Sequence, residues 1–207
     1  RGYPLLDDPV PAPVPTNTPI PEVQSSGYDS SIMTIPAPTP GDLQKLKTQI
    51  QIWSRELGFD GIGVSDTEIS AAEQYLFSWL KEDRHGEMGY LAQHGTRRSR
   101  PDELIPGTIR IISVRMNYWC DSASSATSIL LDPNAAYISR YALGKDYHKI
   151  MRKKLQQLAD RIISEVGVFQ FRAFVDSAPV MEKPLGLKSG LGLMGKHTNL
   201  IEIGSAH

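Results

Sequence analysis

The stretch Gly41-Asp-Leu-Gln-Lys-Leu-Lys-Thr-Gln-Ile-Gln-Ile-Trp-Ser-Arg-Glu-Leu-Gly-Phe-Asp-Gly-Ile-Gly-Val64 decides the class of fold. Its apolar side chains recur at helical spacing, at Leu43, Leu46, Ile50, Trp53 and Leu57. This pattern predicts an amphipathic helix, with Asp42 as its N-cap and Gly58 as its stop. The short apolar run 59–64 then predicts a strand. A helix followed directly by a strand indicates a mixed fold.

The rest of the chain continues this alternation. Helical periodicity predicts a second helix over 70–80 and a third from Tyr147 to Ile162, with Asp146 as its N-cap and Gly167 as its end. Strands are predicted at 112–119, where apolar and polar residues alternate, at 136–141 and at 168–175. Less regular segments are predicted as a short helix over 85–95, a turn over 96–101 and a loop over 121–134.

These elements predict an α+β (mixed α/β) domain over residues 41–207, with a central sheet flanked by helices. Residues 1–40 contain most of the prolines of the chain, which favour an extended backbone without packed structure. We therefore expect a disordered proline-rich tail before a single domain.

Composition excludes several classes of protein. The formal net charge of -1 does not suit a dedicated nucleic-acid binder, although Arg97, Arg98 and Arg100 form a candidate basic patch. Cys120 is the single cysteine, which excludes an intramolecular disulfide and any cysteine-rich metal site. No apolar run is long enough to span a membrane, and we expect a cytoplasmic protein. The first residue is arginine and not methionine, which indicates a fragment or a processed chain.

Asp176 is the candidate reactive acid. It follows a predicted strand, and strand ends commonly place reactive side chains in a crevice above a sheet. A turn or a helix cap is the alternative, since Ser177 and Pro179 follow. If a bulky ligand buried Asp176, desolvation would raise the pKa of its carboxyl and allow it to donate a proton near neutral pH.

A glycine-spaced loop follows, Gly190-Leu-Gly-Leu-Met-Gly195, with Lys196 and His197 directly after it. Its spacing is that of a dinucleotide-binding loop, but it follows a predicted short helix and precedes a strand-like segment, so that interpretation is weak. Close approach of its backbone to another large ligand remains the alternative.

The run Ser139-Arg-Tyr-Ala-Leu-Gly-Lys-Asp-Tyr-His148 leads into a helix start, where free amide groups favour ligand acceptors. The same residues also fit a capped surface turn. His85 and His94 lack companions at metal-ligand spacing, so we interpret both as structural and predict no metal site.

Taken together, these runs resemble the corrinoid-binding, N-terminal region of epoxyqueuosine reductases. The resemblance covers residues 43–203, and the motifs occur in the order of the family: His85-Gly-Glu-Met88, Arg100-Pro-Asp-Glu-Leu104, Ile112-Ser-Val-Arg-Met-Asn-Tyr118, Arg140-Tyr-Ala-Leu-Gly-Lys-Asp-Tyr-His148 and Val175-Asp-Ser-Ala-Pro179.

The resemblance implies a cobalamin held over the sheet and Asp176 as the proton donor for reducing epoxyqueuosine to queuosine in tRNA. It implies cofactor contacts from Asp146, Tyr147, His148, Ser177, Lys196 and His197. It implies substrate contacts from Arg140, Tyr141 and Lys183. Lys183 departs from the arginine, and Met194 from the bulkier aromatic residue, that the family commonly has at these positions.

The full-length family also carries two 4Fe-4S clusters in a cysteine-rich region, followed by helical repeats that help to hold tRNA. This chain has no ligands for those clusters, so we expect a fragment truncated before that region, without its own electron supply and inactive alone. The alternatives are a non-enzymatic corrinoid-binding or trafficking module and a decayed or incompletely folded product.

Overall fold

In the computed structural model, the residues described are 38–119, 124–167, 169–176 and 178–202. The helices among them are α1 (Pro40–Glu56), α2 (Ser70–Lys81), α3 (Pro101–Leu104), α4 (Ala126–Leu130), α5 (Tyr147–Val166) and α6 (Glu182–Lys188). The strands are β1 (Gly61–Ser65), β2 (Ile111–Arg115), β3 (Leu193–Met194) and β4 (Leu200–Ile201). Short 3-10 helices occupy Gly89–Leu91, Gly95–Arg98 and Arg140–Ala142.

Helix α1 begins with a capping box. The Thr39 hydroxyl accepts a hydrogen bond from the Asp42 amide at 3.2 Å, and the Asp42 carboxylate accepts one from the Thr39 amide at 3.1 Å. Pro40 fits the first helical position because its missing amide would be unpaired there anyway. The prediction of Asp42 as N-cap is therefore wrong, since Asp42 is the third residue of the helix and Thr39 is the cap.

The core forms where α1 crosses α5. Ile50 of α1 packs with Leu158 and Ile162 of α5, and Ile62 and Val114 of the β1–β2 pair close the cluster. The periodicity of both helices is thus confirmed, and Asp146 caps α5 as predicted by accepting a hydrogen bond from the His148 amide.

Strands β1 and β2 pair antiparallel, with Gly61 opposite Arg115 and Ser65 opposite Ile111. The C-terminal end of α6 lies against this pair at Gly63, where a Cβ would lie only 2.1 Å from the Ser189 carbonyl oxygen. Only glycine permits so close an approach. The predicted strand 112–119 ends early, at Arg115, and Tyr118 beyond it is 64% exposed.

Two predicted strands are wrong. Residues 136–139 have no regular structure and lead into the 3-10 helix Arg140–Ala142, and residues 169–175 also lack regular structure. Val168, the first residue of the second predicted strand, lies outside the described part. Both segments carry β-forming residues, but a strand also requires a neighbour with which to exchange backbone hydrogen bonds.

Two less regular predictions also change. The predicted loop 121–134 contains α4, which Ser125 caps by accepting a hydrogen bond from the Ser128 amide at 3.0 Å. The predicted short helix over 85–95 is a series of turns around the 3-10 helix Gly89–Leu91.

The α+β class is confirmed, with helices packed around a two-stranded β1–β2 sheet and a second two-stranded sheet formed by β3 and β4. The predicted tail lies outside the described residues up to position 37, and the domain boundary at 40 stays a prediction. No helix in the described ranges is long and apolar enough to cross a lipid bilayer.

Candidate functional site

Asp176 lies in the irregular segment between α5 and α6. Its backbone has a φ of 55°, in the left-handed region that few residues other than glycine adopt. Its amide donates a hydrogen bond to the Glu182 carboxylate at 3.1 Å, while the preceding Val175 is buried. A buried neighbour and a backbone anchor thus hold an exposed carboxyl at the surface.

The first residues of α5 meet this carboxyl. The Tyr147 hydroxyl donates a hydrogen bond to Oδ2 of Asp176, and Nε2 of His148 lies 3.6 Å from the same oxygen. On its other side, Nδ1 of His148 lies 2.8 Å from Oδ1 of Asp146. The tyrosine and histidine rings stack with their centroids 4.0 Å apart. The structure therefore brings together four of the predicted site residues, Asp146, Tyr147, His148 and Asp176.

The electrostatics follow from these contacts. The hydrogen bond to Asp176 stabilises the neutral phenol and raises the pKa of Tyr147 to about 12. The hydrogen bond with His148 lowers the pKa of Asp146, because it favours the carboxylate form. The cluster thus keeps a neutral phenol beside Asp176 and an ionised carboxylate behind the histidine.

Glu182 completes the site, and the sequence analysis missed it. As the first residue of α6 it accepts the Asp176 amide, and the residue as a whole is exposed. Protein atoms nonetheless desolvate its carboxyl, and this burial, together with the nearby charge of Asp176, raises the pKa of Glu182. The sequence feature that could have identified Glu182 is an acidic residue at the start of a helix. The same feature also fits an ordinary first helical turn with no role in a site.

An exposed aromatic wall adjoins the cluster. The ring centroids of Tyr141 and Tyr147 lie 6.0 Å apart in an edge-on contact, and those of Tyr118 and Tyr141 lie 6.4 Å apart. The guanidinium of Arg140 lies 4.2 Å from the centroid of the Trp119 ring and donates to the Ser124 carbonyl at 3.2 Å. Arg140 and Tyr141 are thus placed beside the Asp176 cluster.

The remaining predicted site residues lie on or beside the β3–β4 hairpin. Lys183 of α6 donates to the Asn199 side chain at 3.2 Å, and the Asn199 amide donates to Nδ1 of His197 at 3.2 Å. Lys196 is exposed in the same turn. Within the described part, no direct hydrogen bond or ion pair joins Lys183, Lys196 or His197 to Asp176. Ser177 lies outside the described residues.

The glycine loop follows helix α6, so its placement does not match a dinucleotide-binding loop. Two of its glycines make room for protein atoms. A Cβ on Gly192 would lie 2.3 Å from the Ile201 carbonyl oxygen, and one on Gly195 would lie 2.6 Å from the His197 ring. Their close backbone approach therefore serves the hairpin itself.

The candidate basic patch at 97–100 is largely engaged within the protein. The guanidinium of Arg100 forms a bidentate ion pair with the Glu73 carboxylate, with both nitrogen–oxygen distances at 2.9 Å. It forms a second ion pair with Glu103. Arg98 donates to the Tyr90 carbonyl at 2.9 Å. The pKa of Glu73 falls to about 2, because Arg100 and Ser99 donate hydrogen bonds to its carboxylate. This is a structural network, so Arg98 and Arg100 of the candidate basic patch are already bound by protein groups.

The comparisons with known proteins agree with the motifs. A family model described as "Epoxyqueuosine reductase QueG, DUF1730" matches residues 98–177. The epoxyqueuosine reductase of Pseudomonas aeruginosa is 54% identical over 160 residues, which are 77% of this chain and 44% of that protein.

Solved structures share the fold. An epoxyqueuosine reductase in complex with an epoxyqueuosine-modified tRNA stem loop superposes with a TM-score of 0.64 at 22% identity, covering 77% of this chain and 42% of that one. The Bacillus subtilis epoxyqueuosine reductase, solved with a catalytic aspartate loop swung out of the active site, gives 0.62 at 21% identity, covering 76% and 41%.

The chain therefore spans less than half the length of these proteins. The match extends over most of the residues that the motifs covered, and the resemblance inferred from them is confirmed. This chain is similar to part of the epoxyqueuosine reductases.

Proposed function

We propose that this chain forms the cobalamin-binding, acid-bearing part of an epoxyqueuosine reductase, an oxidoreductase that reduces epoxyqueuosine to queuosine in tRNA. One observation carries the proposal: Asp176, Tyr147 and His148 meet at one point in a chain that is 54% identical to a relative of that name. We place this activity in the cytoplasm, where tRNA is modified.

The surroundings of Asp176 fit a large, partly apolar ligand. Tyr118 and Tyr141 expose 64% and 54% of their surface next to the cluster, so much of each ring can cover a macrocycle. Asp146 and His148 supply polar groups at the edge of this wall. We assign further cofactor contacts to Ser177, Lys196 and His197. When bound, cobalamin supplies the electrons for the reduction through its cobalt.

Asp176 is the proposed proton donor. Removal of an epoxide oxygen takes up two electrons and two protons, breaks both carbon–oxygen bonds, and yields an alkene and water. We propose that the Asp176 carboxyl delivers a proton to that oxygen as charge develops on it. Tyr147 and His148 orient the carboxyl, and Arg140, Tyr141 and Lys183 contact the substrate.

The electrons must come from outside this chain. A 4Fe-4S cluster is ordinarily held by four cysteines, and the chain has one, Cys120, which lies outside the described residues. We therefore propose that two such clusters, carried elsewhere in the full-length enzyme, pass electrons to the cobalamin, and that tRNA is the partner on which the site acts.

Cobalamin titration followed by visible spectroscopy tests binding. We expect the spectrum to change on binding to the folded chain. The same result is expected for Asp176→Asn, because that substitution keeps the shape of the side chain. Absence of a spectral change with folded wild-type protein would contradict the proposal.

Turnover tests the acid. With a low-potential chemical reductant and an RNA stem loop bearing epoxyqueuosine, nucleoside mass spectrometry should detect queuosine. Asp176→Asn should lower the rate about 100-fold or more, since general acids contribute at least that much. Asp83→Asn is the matched control, because Asp83 is also an exposed aspartate with a left-handed backbone, φ 53°. Equal rates in the two variants, or queuosine formation without any reductant, would contradict the proposal.

A further inference from the structure

We infer that the N-terminal half of α5 carries a cationic surface that binds phosphates of the RNA strand entering the Asp176 site. This α5 cationic surface consists of Lys149, Arg152 and Lys153 of the helix together with Lys145, which lies two residues before its first residue. The inference rests on the proposed function, and it adds to it the part of the chain that contacts the nucleic acid backbone.

The surface lies on the side of α5 that faces away from the core. Leu158 and Ile162 are buried against α1, whereas Lys149 and Lys153, one turn apart, project about half a helical turn away from them and are exposed. The same helix starts at Tyr147, beside Asp176. The cations therefore extend from the site along the helix.

The charges of α5 run against the helix dipole. Cations are stabilising near the C-terminus of a helix and destabilising near its positive N-terminus. In α5 four of the five lysine and arginine side chains lie in the first two turns, and the fifth, Arg161, is paired with Glu56. No acidic residue occurs between 147 and 159, and the last turn has no basic residue. Lys149 also repels Arg152 and Lys153 at spacings of three and four residues. Helix stability alone does not account for this arrangement, whereas a bound polyanion would offset it.

The lysines of this surface are not neutralised within the described part of the chain. Lys149 contributes its charge to lowering the pKa of Asp146, but neither it nor Lys145 or Lys153 forms an ion pair there. This differs from Arg100, which two carboxylates hold. The three lysines can therefore meet an external anion without first breaking an ion pair.

The geometry favours a nucleic acid strand over a membrane. Lys149 and Lys153 are about 6 Å apart along the helix axis, the rise of about two phosphates on one strand of a duplex. A membrane-binding amphipathic helix needs a free apolar face, whereas the apolar face of α5 is packed on α1.

Fluorescence anisotropy with a labelled RNA stem loop tests the inference on the 207-residue chain. The test variant is Lys149→Gln/Lys153→Gln. The matched control is Lys45→Gln/Lys47→Gln, which removes the same charge from exposed positions of α1. Losing two phosphate contacts should make the slope of log K against log salt less negative by about 1.5, and near 0.1 M salt the affinity should fall about 10-fold or more. The control should change it less than about 2-fold.

Other readouts separate the possible outcomes. The α5 variant should melt at the same temperature as wild type or higher, since repulsion is relieved, and should bind cobalamin with unchanged affinity. Equal losses of RNA affinity in both variants, or no loss in either, would overturn the inference. So would lysine-dependent binding to phosphatidylserine vesicles that exceeds binding to RNA. If cobalamin fails to bind wild-type protein, the proposed function fails, whatever the RNA result.

Discussion

Removing the carboxylate of Asp176 should lower the pKa of the Tyr147 phenol towards its usual value of 10.0. In the structure Tyr147 donates a hydrogen bond to Oδ2 of Asp176, which raises the pKa of the phenol from 10.0 to about 12. This difference is a factor of about 100 in proton affinity, since each pH unit is a factor of ten. Tyr147 and Asp176 are both partly open to solvent, which screens part of the interaction between them. We therefore expect Asp176→Asn to lower the pKa of Tyr147 by about 1 to 2 pH units.

The assay is an NMR titration of the chain labelled at the tyrosine ring carbon that bears the hydroxyl. The Tyr147→Phe variant assigns the resonance by its disappearance. Asp83→Asn should leave the titration unchanged, because Asp83 lies in the turn after α2. A Tyr147 pKa near 10 in wild-type protein, or the same pKa in Asp176→Asn, would refute the inferred geometry of the site.

The same titration tests the anchor that Glu182 provides. Glu182→Ala removes the acceptor of the Asp176 amide. The Asp176 carboxyl should then lose its fixed position, and the pKa of Tyr147 should fall as well. Glu182→Gln keeps an oxygen acceptor and should largely preserve the pKa. The same pKa shift makes stability depend on pH. Because folding raises the pKa of Tyr147, the contribution of this residue to the free energy of unfolding is complete below pH 10 and is lost as the pH rises through about 12.

The remaining predictions concern stability, measured by urea unfolding. Gly63→Ala should cost about 3 kcal/mol, because its Cβ would meet a carbonyl oxygen at 2.1 Å, whereas Gly41→Ala, with its nearest contact at 3.6 Å, should be neutral or stabilising by up to about 1 kcal/mol. Leu158→Ala should cost about 3 kcal/mol because Leu158 is 2% exposed, and the same change at Leu130, 68% exposed, should cost little. Folding lowers the pKa of Glu73 from 4.5 to about 2, so its contribution is present above pH 4.5 and lost as the pH falls through about 2; Glu73→Gln should abolish that part of the acid dependence.

The sequence by itself determined the main helices. In α1 and α5 the contacts that matter are three and four residues apart, so the apolar spacing and the Asp146 cap could be recognised locally. Even the misplaced cap of α1 was an error of three residues, because Thr39 and Asp42 share one capping box. The ordered motifs also determined the resemblance to the epoxyqueuosine reductases, since they are properties of the sequence.

Only the tertiary structure decided which apolar segments become strands and which acid has partners. Residues 136–139 and 169–175 carry β-forming side chains but no ladder, since pairing depends on a distant segment that local sequence does not specify. Asp176 meets Tyr147 across 29 positions of sequence, and Glu182 fixes its backbone from the start of another helix. Local spacing can nominate an acid, but packing of α1, α5, α6 and the β1–β2 pair brings its partners within hydrogen-bonding distance.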